Sequence, residues 1–491
     1  MKKLLLMVCI GFSVYTQAQK TNPKPFAKEI TAQGLKEQLY IIAGPEMEGR
    51  GTATEGERRA AAYIQSQFEK AGLQPGFNGS YQMPFPVFED SLLKIHLAVN
   101  GKDFVAGKDF SGNIGMLNNA SFRFSEVVFA GFGVVNETRD DYKDLDVKGK
   151  LVIVLSAAFG RDLPAEVKNK INAFVQQDAA ERRGAAALLI VDNKIDPVPA
   201  KGNLYVNPYK TVYRINTFTV SENVGNVIAG TTLTGSTPQV LKAKVDMDFV
   251  KQPNELTSYN VLGLLEGSDL KDEFVVLTAH YDHMGEKDGK IWFGADDDGS
   301  GTVAVIELAK AFAKAKAAGK GPRRSILFMT VSGEERGLWG SAYYGENPVY
   351  PLDKTTVNLN IDMIGRIDPD RAKKDSLNYV YIVGDDKLSS DLKPISEGIN
   401  KKYTKLGLDY KFNEPKDPMR IYYRSDHYNF ARHGVPIIFY FSGLHPDYHQ
   451  PTDTPDKINY ALLQKRTLLV FYTAWEMANR DAMLKRDIPL N

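Results

Sequence analysis

Phe274-Val275-Val276-Leu277-Thr278-Ala279 runs directly into His280-Tyr281-Asp282-His283, and this junction sets the reading of the C-terminal half. An apolar run of this length reads as a strand buried on both faces. Two more runs end on acidic residues in the same way. Ser325-Ile326-Leu327-Phe328-Met329-Thr330-Val331 leads to Glu334-Glu335, and Val357-Asn358-Leu359-Asn360-Ile361 leads to Asp362. In an open α/β sheet the carboxyl ends of the strands converge on one crevice, so side chains far apart in sequence can meet there. His280, Asp297, Glu335, Asp362 and His449 together offer two imidazoles and three carboxylates, enough for two zinc ions sharing one carboxylate.

Zinc takes imidazole and carboxylate ligands, and its catalytic sites leave one position open for water. A second ion close by permits one carboxylate to bridge both. Asp297 is the natural bridge, because Asp296, Asp297 and Asp298 would repel one another unless cations lay among them. Water bound between such ions has its pKa lowered from about 15.7 to about 7, which makes a bridging hydroxide available as nucleophile at neutral pH. Six of the seven histidines fall between residues 280 and 449, where the acidic blocks also lie, so the two sets are not independent. His283, His427, His433 and His445 read as outer or surface residues, and His96 lies outside the constellation.

Five blocks stand in a characteristic order: Ala279-His280-Tyr281-Asp282-His283, Gly294-Ala295-Asp296-Asp297-Asp298-Gly299-Ser300-Gly301, Ser332-Gly333-Glu334-Glu335-Arg336-Gly337, Ile361-Asp362-Met363-Ile364-Gly365 and His449-Gln450-Pro451-Thr452-Asp453. This series resembles that of the co-catalytic dizinc aminopeptidases, a family with glutamate carboxypeptidase relatives. Met47-Glu48-Gly49-Arg50-Gly51-Thr52 resembles its N-terminal segment. The resemblance implies that one zinc takes His280 and Asp362, the other takes Glu335 and His449, and Asp297 bridges. It also implies Glu334 as general base, Asp282 as the aspartate orienting the His280 imidazole, and Tyr422, with Tyr423 as its neighbour, as a hydrogen-bond donor to the oxyanion.

The activity so implied is zinc-dependent hydrolysis of peptide bonds, releasing N-terminal amino acids from peptides. A dipeptidase or carboxypeptidase on the same site stays open, since pocket residues come from loops. A receptor-like binding protein would be expected to have lost ligands or the base, and none is missing. A glutaminyl cyclase-type transferase would use one zinc and need not keep His280, whereas both sites look complete here.

At 491 residues the chain is long for one core, and 43% hydrophobic with 25% charged residues describes a globular protein. A formal net charge of +1 gives no basic stripe for nucleic acid. Lys2-Lys3, the apolar run Leu4 to Phe12 and Thr16-Gln17-Ala18 read as a secretory signal peptide over residues 1–18, implying a periplasmic or secreted protein. Cys9 lies inside the apolar run, so the mature chain has no disulfide. The expected fold is α/β: a mostly parallel sheet covered by helices on both faces, built from residues 26–118 and 250–491. Between them, residues 119–249 change to short strands and turns and resemble a small β-rich protease-associated domain. That insert reads either as a lid or docking surface for substrate or another protein, or as a passive stabilising element.

Overall fold

The computed structural model describes residues 22–161, 163–207, 214–233, 237–372 and 377–490. The expected leader over residues 1–18, with Cys9, lies outside the described residues. The chain divides into two compact units: one ends at Phe85 and resumes at Ser258, and the other spans Pro86–Thr257. The first seam falls earlier than the 118/119 boundary expected from the sequence. Leu97, Val99, Phe104, Phe110, Ile114 and Leu117 share one core with Val127, Ile153 and Leu189, so apolar burial assigns this stretch to the inserted unit.

The larger unit is built on strands β1 (Val245–Leu265, through its last residues), β2 (Leu270–His280), β3 (Arg324–Val331), β4 (Thr355–Ile361), β5 (Tyr379–Val383), β6 (Gly407–Asp409) and β7 (Ile437–Phe441). Their spatial order is β6-β5-β7-β4-β2-β3-β1. The four central strands β7, β4, β2 and β3 run parallel. Strand β1 flanks them antiparallel on one side and β5 on the other.

The longer helices of this unit are α1 (Ala32–Ile42), α2 (Glu55–Ala71), α3 (Gly301–Ala317), α4 (Trp339–Glu346), α5 (Leu392–Tyr403) and α6 (Tyr460–Asn479). Thr54 caps α2 by accepting the Glu57 amide, and Gly72 ends it at φ +79°, a left-handed conformation that glycine adopts without a Cβ penalty. Alternation along β2 divides the core. Val275, Leu277 and Ala279 pack with residues of α1, α2, α3 and α6, while Val276 packs on the other face with Tyr344 of α4 and with Phe430. The sheet is thus covered on both faces, as expected.

Several polar residues inside these strands bond one another. Asn358 Nδ2 donates to Thr278 Oγ1 at 2.9 Å, Thr278 to Asn360 Oδ1 at 2.6 Å, and Asn360 Nδ2 to Ser425 Oγ at 2.8 Å. This buried relay gives each of the four side chains a partner, although Asn358 Oδ1 has none among the described residues.

The inserted unit has a six-stranded sheet in the order Gln239–Leu241, Val127–Phe129, Leu151–Leu155, Ala187–Asp192, Asn216–Ser221, Phe110–Ser111. Its four inner strands are parallel and both edge strands antiparallel. Two helices, Ala165–Lys168 and Ala173–Arg182, follow its third strand. Asn172 separates them: extended at φ −148°, it accepts the Val175 amide and starts the second helix afresh. Among the described residues no helix is long and apolar enough to cross a membrane.

Candidate metal centre

Four loops at the carboxyl ends of the parallel strands and the turn before α3 supply the chemistry. His280 ends β2, Asp362 follows β4, and Glu334-Glu335 follow β3 after Gly333 turns the chain at φ +75°. Asp297 lies in the turn Ala295–Ser300 that enters α3, and His449 lies in the loop after β7. Asp297 faces both histidines: His280 Nε2 is 3.2 Å from its Oδ1, and His449 Nε2 is 3.1 Å from its Oδ2. His449 Nε2 also stands 3.1 Å from Glu335 Oε2, and His280 Nε2 is 3.7 Å from Asp362 Oδ1.

Two donors on one tetrahedral zinc, each about 2.0–2.1 Å from it, lie about 3.3 Å apart. The separations around Asp297 have that size. His280 Nε2 and Asp297 Oδ2 are buried without a hydrogen-bond partner among the described residues, which suits atoms that would face an ion. The donor set therefore fits zinc.

Two other groups near the cluster are decided by the same geometry. Asp298, whose carboxylate also lies close to His280 and Asp362, is occupied by backbone: Oδ1 accepts the amides of Gly301 and Met363, and Oδ2 accepts that of His280. It ties the ends of β2 and β4 together. His283, expected as an outer or surface residue, is fully buried and places Nδ1 2.6 Å from Glu335 Oε1. That distance is too short for two ligands of one ion and right for a hydrogen bond, so His283 orients Glu335.

The segment Met47 to Thr52 clamps the His280 loop from outside. Arg50, fully buried, donates to the carbonyls of Ile42, Tyr281, Phe293 and Gly294. Thr52 Oγ1 donates to Asp282 Oδ2 at 2.8 Å, and Asp282 Oδ1 accepts the Glu334 amide at 3.2 Å. The acceptor nearest His280 Nδ1 is the Asp282 carbonyl at 3.1 Å, with its carboxylate at 3.7 Å. Asp282 thus differs from the expectation in detail: its backbone meets the imidazole while its carboxylate holds the turn carrying Glu334.

Residues 260–474 match peptidase family M28. The matched stretch holds all five candidate ligands. The chain is 25% identical over 370 residues to aminopeptidase YwaD of Bacillus subtilis, covering 72% of each protein. In fold it is similar to an aminopeptidase from Aneurinibacillus sp. strain AM-1, with a TM-score of 0.53 and 19% identity over 96% of this chain and all of the other. A zinc aminopeptidase from Bacillus subtilis gives a TM-score of 0.52 and 20% identity, covering 94% of this chain and 99% of the other.

The cluster perturbs its own groups strongly. Glu334 is pushed well above the usual carboxylate range, first by burial and then by Glu335 and Asp362, against the pull of His280. Burial opposes ionisation of Asp297 too, but contacts with His280 and His449 outweigh it and hold the carboxyl well below its ordinary value. His449 is raised to about 10 despite its burial, by Asp297 and Glu335.

Asp297, Glu334 and Asp362 share a recess with Met363, Ile421, Arg424, Phe439, Phe441, Leu444 and Tyr448. Tyr448, not Tyr422, is the tyrosine at this recess. Tyr448 stacks on His449 with ring centroids 3.8 Å apart, and its hydroxyl accepts from Arg424 at 3.2 Å. Tyr422 packs against the rings of Tyr423, His427 and Tyr428, and its buried hydroxyl has no hydrogen-bond partner among the described residues. The sequence clue to Tyr448 was its place directly before His449.

Proposed function

We propose that this zinc-dependent peptidase is an aminopeptidase that holds two zinc ions, one at His280 and Asp362, the other at Glu335 and His449, with Asp297 between them. The supporting observation is that Asp297 directs one oxygen to each histidine at near-equal distance, 3.2 and 3.1 Å. Zinc bound there supplies a Lewis acid for the scissile carbonyl and lowers the pKa of water to about 7. Glu334, whose Oε2 lies 3.8 Å from His280 Nε2, takes the proton of the attacking water. A carboxyl group in that place can then pass the proton to the leaving amine. Because Arg424 donates to the Tyr448 oxygen, the phenol proton is free to stabilise the developing oxyanion. The apolar wall of Ile421, Phe439, Phe441 and Leu444 receives a substrate side chain.

A dipeptidase or carboxypeptidase reading rests on Arg424. It lines the same recess and, among the described residues, pairs with no carboxylate, so it offers a seat for a substrate carboxylate. The test is metal content measured alongside rates on one peptide with free, acetylated and C-terminally amidated ends. The aminopeptidase reading expects two zinc equivalents, loss of cleavage on acetylation and little effect of amidation. A plateau at one equivalent, or strict dependence on a free C-terminus, would overturn it. The signal peptide, if cleaved, puts this activity outside the cytoplasm, and the inserted unit is the part available for docking substrate or another protein.

A further inference from the structure

Beside the zinc ligands lies a second buried cluster of Asp296, Asp453, His445 and Arg366, to which the catalytic steps give no part. Asp453 and Asp296 are fully buried and His445 nearly so. One oxygen of Asp453, Oδ2, accepts the amides of both Asp296 at 2.9 Å and Asp297 at 3.2 Å. Its own carbonyl accepts the Ala295 amide at 3.1 Å. Three consecutive amides of the turn carrying Asp297 are thus held by one residue. That residue stands four positions after His449, and its amide bonds back to Gln450 O at 3.1 Å, closing the turn in which His449 sits at φ +54°.

The loop after β4 joins the same cluster. Asp296 Oδ1 accepts the Gly365 amide at 2.6 Å, and Arg366 places Nη1 3.7 Å from Asp453 Oδ1 and Nη2 2.8 Å from Asp447 Oδ2. His445 Nε2 lies 3.3 Å from Asp296 Oδ2.

We infer that Asp453 is a positioning residue: by accepting two amides on one oxygen it fixes Asp297 against His449, and so sets the spacing at which these two side chains meet the same ion. The inference rests on the reading of Asp297 and His449 as ligands of one zinc. A carboxylate accepting backbone amides makes stronger bonds than a neutral acceptor, and buried amides left unpaired would move to find new partners. Since Asp453 also closes the turn that carries His449, its loss moves two donors of the ion that His449 and Glu335 would hold and only one of the other. Residues of this kind typically govern metal affinity by about 10–100-fold.

The experiment is equilibrium dialysis of metal-free full-length protein against buffered zinc, with bound metal counted and the thermal transition of each metal-free protein recorded. Wild type should bind two equivalents. Asp453→Ala should bind one of the two about 10–100-fold more weakly and leave the other near wild type. Asp453→Asn keeps a carbonyl oxygen to accept both amides and should titrate close to wild type. Should the alanine variant show no cooperative transition, Asp453→Ser, too short to reach both amides, is read in its place. Equal weakening of both equivalents in Asp453→Ala, or identical titrations of Asp453→Ala and wild type, overturns the inference, as does an asparagine variant as weak as the alanine one. Wild type that stops at one equivalent overturns the dinuclear reading together with the inference, and is thereby distinguished from failure of the inference alone.

Discussion

Asp385, just past β5, is fully buried, and neither of its carboxylate oxygens is hydrogen-bonded among the described residues. Burial first, then Asp386, raises it from 3.8 to about 7; Lys393 opposes this and Glu397 adds to it. A group whose folded pKa is raised contributes stability that is whole below its unfolded pKa and is lost as pH rises through the folded value. For Asp385 that window runs from about pH 4 to about pH 7. At about 1.4 kcal/mol per pH unit, the rise corresponds to a ceiling of about 4 kcal/mol. Asp385→Asn removes the charge and keeps the shape. The variant should match wild type near pH 4 and exceed it by up to about that ceiling at pH 8. Urea unfolding of both metal-free proteins at the two pH values measures this, since their difference cancels other titrations. A variant no more stable than wild type at pH 8, with the same difference at pH 4, would refute the reasoning. It would mean that the Asp385 carboxyl ionises as readily in the folded chain as in the unfolded one.

Glu334→Gln should keep both metals and substrate affinity while kcat falls by at least about 10²-fold, read from steady-state kinetics beside metal analysis; normal turnover would remove Glu334 from the base role. Ser425 donates to Asp362 Oδ2 at 2.6 Å and accepts from Asn360, so Ser425→Ala should lower zinc affinity by about 10–100-fold in a competition assay with a chelating dye. An unchanged affinity would reduce the relay to a packing device. Phe312 lies between Phe471, Trp475 and Phe328, and Phe312→Ala should cost about 3–5 kcal/mol of stability in denaturant unfolding without changing the order of substrate preference.

The strands that position the site were legible because a buried parallel strand must be apolar along most of its length, so β2, β3 and β4 announce both themselves and the polar residue at which each stops. The insert was less so. Residues 86–118 alternate much as a strand of either unit would, and only the core they enter, shared with Val127 and Ile153, assigns them.

By itself the sequence pointed to a donor set, because zinc chemistry restricts the residue types and the five blocks carry them in order. It also determined an α/β sheet, because hydrophobic period depends on neighbours along the chain. Tertiary structure alone decided the partition of roles among similar side chains. Asp298 is filled by three amides and Asp297 faces two histidines, although the two are adjacent in a single run of aspartates. His283 bonds Glu335 while His449 stands at ligand spacing from it, and Tyr448 rather than Tyr422 reaches the recess. Residue type is a local property. Which oxygen or nitrogen meets which partner depends on distances of a few tenths of an ångström between loops that only the packed sheet brings together.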